Sequence, residues 1–188
     1  MELSPPAWAR QHELRLRGPH QAPDDDACAE LVAAGYAERK GAFLIATTAG
    51  QDAHATWARL APGSETEATA KAAYERFLEF DLQLKQLIHT WQTQPKGDGA
   101  MGKEEWDLVD RLKAIDEKAG PHLRALARAV DRFDPYRTRL QGALDRLEEG
   151  ERSFFCGVTC DSYHMVWWQL HEDLLAALGI DRQDDPNQ

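Results

Sequence analysis

Residues 29–50 constrain the fold of this 188-residue chain more than any other stretch. A short apolar helical segment carrying Leu31 and Val32 runs into Gly35, a residue type that ends helices. Tyr36 to Thr47 then read as a small hairpin turned at Lys40-Gly41, with Phe43, Leu44 and Ile45 on its second arm. Thr47 or Thr48 caps the next helix, which passes through His54 and Trp57 to about Leu60 before Pro62-Gly63 breaks it. Upstream, Pro5 and Pro6 open a first helix bearing Trp8, Leu14 and Leu16, and Gly18-Pro19 closes it. Only residues 18 to 24 link it to the following helix, too few for an additional helix between them. That following helix begins Asp24-Asp25-Asp26, where an element destined for a DNA groove would carry cations.

The rest of the chain is read as helical. Ser64-Glu65-Thr66-Glu67 has capping-box spacing and predicts a long helix to about Gln94. Pro95 to Gly102, with three glycines, is the clearest loop. Helical periodicity resumes at Trp106, Val109, Leu112 and Ile115, again at Leu123, Leu126, Val130 and Phe133, and again at Leu140, Ala143, Leu144 and Leu147. Gly120-Pro121, Pro135 and Gly150 are expected to separate these units. After an aromatic connector with Phe154 and Phe155, Asp161 or Ser162 caps a last helix that Gly179 ends after Leu178. The expected division is residues 1–62, a helical bundle of about five helices over 63–180, and a polar tail over 181–188.

Residues 1–60 hold six Lys/Arg against eight Asp/Glu, and the remainder of the chain brings the net charge to −10. Neither part is composed like a polyanion-binding surface. The three cysteines, Cys28, Cys156 and Cys160, form no secreted-type disulfide framework. No stretch approaches ~20 uninterrupted apolar residues, so no membrane association is expected, and the location expected is cytoplasmic.

Candidate chemistry gathers on two helices. On the last helix, His164, Trp167, Trp168, His171, Leu175 and Leu178 share one stripe. Two readings stay open: indoles and satisfied imidazoles that fix the helix in the bundle, or an indole-lined ligand pocket. On the long helix, Asp81 falls among Tyr74, Phe77, Leu84 and Ile88. Its carboxylate needs a partner, either Lys85 one turn away at the surface or His164 or His171 across the bundle. The ligand-binding candidates are therefore Asp81, Lys85, His164, Trp167, Trp168 and His171. Cys156, Cys160 and His164 recur every four residues, but Gly157 and the cap at residue 161 or 162 interrupt their alignment, and no metal site is expected. Asp161, Ser162, Tyr163 and His164 are adjacent in sequence and so diverge in space, and no phosphate-binding glycine loop is present. No catalytic residue and no cofactor are expected, and the chain is not read as an enzyme.

The run 29–50 resembles the second half of MarR- and PadR-type winged-helix domains. Asp161 to Leu175, with Tyr74-Glu75-Arg76-Phe77-Leu78 and Trp91-Gln92, is similar to an actinobacterial family that joins such a domain to a helical C-terminal domain. The resemblance implies a mainly α fold with a small winged-helix lobe, its β-hairpin the wing, followed by the bundle. It implies a transcriptional regulator, with the helical domain sensing a small molecule or holding a homodimer together. The DNA-contacting candidates are Arg15, Arg17, Arg39 and Lys40, all directed to phosphates. The alternative is a protein-interaction module that keeps the winged-helix shape without binding DNA; similar segments accompany phosphoenolpyruvate-utilising enzymes.

Overall fold

A computed structural model describes residues 2–95, 97 and 99–187, so that Lys96 and Asp98 of the expected loop and Gln188 of the expected tail lie outside the described residues. The chain is mainly helical, 70% helix and 5% strand, and includes a winged-helix-like lobe. It divides into two compact units, Met1–Arg59 and Leu60–Gln188.

The first unit contains helix α1 (Pro5–Arg17), strand β1 (His20–Gln21), helix α2 (Asp26–Ala33), strands β2 (Ala37–Lys40) and β3 (Phe43–Ala46), and helix α3 (Thr48–Ala58). The sheet is antiparallel in the order β1-β3-β2, with Arg39 opposite Leu44 and His20 on the other side of the same residue. β1 lacks a legible sequence signal, since two residues show no alternation. Leu3, Ala7, Leu14, Cys28, Leu31, Ala37 and Leu44 form the core, with Trp8 stacked on Trp57 at 5.2 Å. One helix, not two, lies between β1 and β2, as the short 18–24 interval requires. The aspartates that open α2 have a local purpose. Asp25 accepts the Cys28 amide at 2.9 Å, and the two bonds from that residue hold its carboxyl below the usual range. Gly50 sits where α3 passes the end of the hairpin; a Cβ there would lie 2.0 Å from the Tyr36 carbonyl oxygen.

The second unit comprises α4 (Glu65–Thr93), α5 (Lys103–Ala129), α6 (Asp134–Glu148), the short α7 (Ser153–Cys156) and α8 (Tyr163–Leu178). Ser64 accepts the Glu67 amide, while the Glu67 carboxylate reaches back to the Gly63 amide. α8 packs against α4, α6 and α7 and is buried on nearly every side. Trp167, Leu170, Leu174 and Ala177 are among its enclosed residues.

One expectation fails here. Gly120-Pro121 does not separate helices, because α5 runs through it. Proline disfavours helix in the preceding residue chiefly through that residue's Cβ, which Gly120 lacks. The buried stripe Leu112, Ile115, Ala119, Leu123 and Leu126 continues across the junction. Residues 181–184 are exposed, but the polar segment as a whole does not stay in solvent. It passes through a turn at Arg182–Asp184 and returns to the bundle, burying Asp185 and Asn187.

Candidate functional site

The site in the second unit is made by α4, α8 and the returning C-terminal segment. Asp81 lies on the inner face of α4, 4% exposed, because the apolar stripe of Tyr74, Phe77, Leu84 and Ile88 turns that face into the core. Its Oδ1 accepts the Trp167 indole N–H at 3.1 Å, and its Oδ2 accepts the Asn187 side-chain amide at 3.3 Å and lies 3.0 Å from Lys85 Nζ. Lys85 is thus the ionic partner of a carboxylate that is nevertheless buried. The alternative partners are corrected: neither imidazole is hydrogen-bonded to Asp81, whose other direct donors are Trp167 and Asn187, the latter a residue with no pattern to mark it in the sequence.

His171 instead faces Asp185. Its Nε2 lies 3.0 Å from Asp185 Oδ2, but not in line for a hydrogen bond, so the contact is electrostatic. Asp185 Oδ1 accepts the Tyr74 hydroxyl at 3.0 Å and the Asn187 backbone amide at 3.1 Å. Burial pushes the His171 imidazole below its ordinary pKa, against the pull of Asp185 and Asp81. Burial likewise lowers His164, with Asp81 opposing. The Tyr74 phenol is raised by burial and then by its bond to Asp185, which keeps it a donor. Phe77 stacks on Trp167 at 4.6 Å and meets the His171 ring at 4.8 Å, fixing both.

All six sequence candidates, Asp81, Lys85, His164, Trp167, Trp168 and His171, border one cavity together with Arg182. Its volume is about 30 Å³, the share of a single water in the liquid and an order of magnitude below a small-molecule pocket. Two of the groups that border the cavity, Asp81 and Lys85, also hold Asn187. Asn187 donates its side-chain amide to the Leu78 carbonyl at 2.7 Å and accepts a hydrogen bond from Lys85 Nζ on its own carbonyl.

Elsewhere in the bundle, buried carboxylates follow the same plan of a phenol and a guanidinium. Asp116 accepts from Tyr163 and Arg137, and Asp173 accepts from Tyr136 and Arg132. Burial raises both phenols well above their ordinary pKa. Among the described residues no group of three or more His, Cys, Asp or Glu side chains converges as metal ligands do. The Cys160 thiol donates to the Ser153 carbonyl.

In the first unit the proposed phosphate contacts are dispersed. Arg39 donates to the Ala22 and Pro23 carbonyls at 3.2 and 2.7 Å and lies 3.8 Å from Asp24, so it staples β2 to the loop before α2. Lys40 is 3.9 Å from Glu38 and Arg17 is 4.0 Å from Glu13. Arg15 is exposed and borders a groove of about 370 Å³ that also contains Gln11, Gly18, Ile45 and Gln51. Gln11, which sequence reasoning passed over, is fully buried there with both amide atoms unpartnered. A glutamine on an amphipathic helix gives no sequence signal of that environment.

Compared with known proteins, the chain matches no family model, no curated protein and no solved structure. Among the described residues no helix is long and apolar enough to cross a membrane.

Proposed function

We propose that the protein is a winged-helix regulator whose helical C-terminal unit senses a small molecule. The observation that carries this reading is the burial of the Asp81 carboxylate against Phe77 and Trp167, with an indole donor, a lysine, and the His164 and His171 imidazoles bordering the same small cavity. Asp116 and Asp173 are buried on a phenol and an arginine each, whereas Asp81 borders a cavity together with two imidazoles. Convergent polar groups set into an aromatic wall are what orient a small ligand.

A second reading, a protein-interaction module without DNA affinity, is favoured by the first unit. Arg39 is spent on internal carbonyls, α2 opens on capping aspartates, and Val32 and Phe43 are exposed at 42% and 45%. Fluorescence anisotropy of a labelled duplex at low salt, with wild-type protein and with the Arg15→Ala/Lys40→Ala double variant, separates the two. The regulator reading expects weak retention with a shallow salt slope, weakened further in the variant, since each lost phosphate contact lowers that slope by roughly one. Absence of retention at low salt would give the function to the interaction module.

A further inference from the structure

We propose that residues Asp185 to Asn187 are a built-in occupant of the α4–α8 site, standing where a small ligand that carries a carboxylate and a nearby nitrogen donor binds once this segment lifts away. The inference rests on the sensing site proposed above and specifies its ligand and its control.

The segment is recognised as a ligand would be. Its carboxylate, on Asp185, meets a phenol donor from Tyr74 and the Nε2 edge of His171. Its nitrogen donor, the Asn187 side-chain amide, is shared by two acceptors on α4, the Leu78 carbonyl at 2.7 Å and Asp81 at 3.3 Å. Its carbonyl, on Asn187, takes the Lys85 ammonium. The contacts are complementary in donor and acceptor: the acidic group of the segment accepts from Tyr74 beside the edge of His171, while its amide donates to the Leu78 carbonyl and the Asp81 carboxylate. An ammonium would satisfy the Leu78 and Asp81 acceptors as well as an amide does, so the class includes amino acids and their amides.

The elements on either side differ in how firmly they are held. α4 and α8 are long, and their inward faces are buried in the bundle. Residues 181–187 are fixed by the polar contacts above and by Arg182 against Glu172; the side chains of 181–184 are exposed. A short segment with few buried apolar groups opens at lower free energy than the helices it covers. With the segment seated, Tyr74, the Leu78 carbonyl, Asp81 and Lys85 are all engaged by it, so a ligand that uses the same groups and the segment exclude one another. A tethered occupant acts at an effective concentration in the millimolar range, and a competing ligand is weakened accordingly.

The test uses the 188-residue chain. N-acetyl-Asp-Pro-Asn-amide is titrated into wild-type protein and into the Asp185→Ala/Asn187→Ala variant, with indole emission and calorimetry as readouts. Far-ultraviolet circular dichroism and a denaturation midpoint establish that the variant is folded. The expected result is at least tenfold tighter binding to the variant, and loss of that gain when Lys85→Ala is added. Equal affinity for both proteins, or no binding to the folded variant, overturns the proposal. If the double variant does not fold, Asp185→Asn keeps the shape and the Tyr74 bond but removes the charge, and the same comparison decides, with a several-fold gain expected. Asparagine, glutamine and glycine serve as a second series. If one of them shifts wild-type emission while the tripeptide never gains from the variant, the sensing site stands and its control by the segment falls. If no probe binds either folded protein, both readings fall.

Discussion

Asp81 and Lys85 are unequal partners: the aspartate side chain is 5% exposed and the lysine 43%. Removing the carboxylate strands the Trp167 N–H and leaves the Asn187 amide with only its Leu78 bond. Removing the lysine leaves Asp81 with the Trp167 and Asn187 donors. Asp81→Ala should therefore cost about 3–5 kcal/mol, in the range for breaking a buried pair, and Lys85→Ala about 1 kcal/mol or less, as expected for a solvent-screened partner. Urea midpoints of the two variants check this, and equal losses would place the pair in one common environment. The conflict between a charged residue and an apolar stripe was legible at Asp81 from sequence. Its true partners were not, because Trp167 is 86 positions away and Asn187 106, and no local pattern encodes such a distance.

At the scale of elements, the hairpin and its flanking helices followed from Gly35, the Lys40-Gly41 turn and the Thr47 cap, all of which act locally. Arg39 shows where local reading stops. A cation at a hairpin tip reads as a phosphate contact, yet carbonyl groups left unpaired by the loop before α2 claim it. Arg39→Ala should thus lower the stability of the first unit by about 1–3 kcal/mol, the range for hydrogen bonds made by a charged donor. Lys40→Ala, one residue on, should change it by no more than about 0.5 kcal/mol. Thermal unfolding followed by the emission of Trp8 and Trp57 compares them; similar small effects would return Arg39 to the role of a surface cation. The returning segment at 181–187 escaped the sequence for a related reason. Asp, Arg, Gln and Asn compose both solvated tails and polar plugs, and only the groups waiting on α4 and α8 distinguish the two.

For the whole molecule, the depressed imidazoles make stability depend on pH in a defined direction. In the unfolded chain each histidine titrates near about 6.5, whereas His164 and His171 in the folded bundle do so lower, because burial penalises the cation more than Asp81 and Asp185 favour it. The unfolded state thus binds more protons just below that value, and stability rises with pH there. The contribution is present above about pH 6.5 and is lost as the pH falls from there through the lower folded values. Lys85 and Arg182 oppose protonation of His171 along with burial, while Tyr74 remains neutral. Thermal midpoints between about pH 7.5 and 5 should fall for the wild type and fall less for His171→Gln. A flat profile in the wild type would mean that the imidazoles are already solvated.

The proline within α5 also has a consequence for motion. Pro121 has no N–H to give to the Glu117 carbonyl, so the 27-residue helix lacks one rung of its hydrogen-bond ladder near its middle. Across that gap the helix is continued by the buried side chains on either side, Ala119 and Leu123 among them, rather than by an unbroken ladder. In native-state hydrogen exchange, the amides around residues 117–124 should open at lower free energy than those at 108–115, making α5 two cooperative segments in one continuous rod.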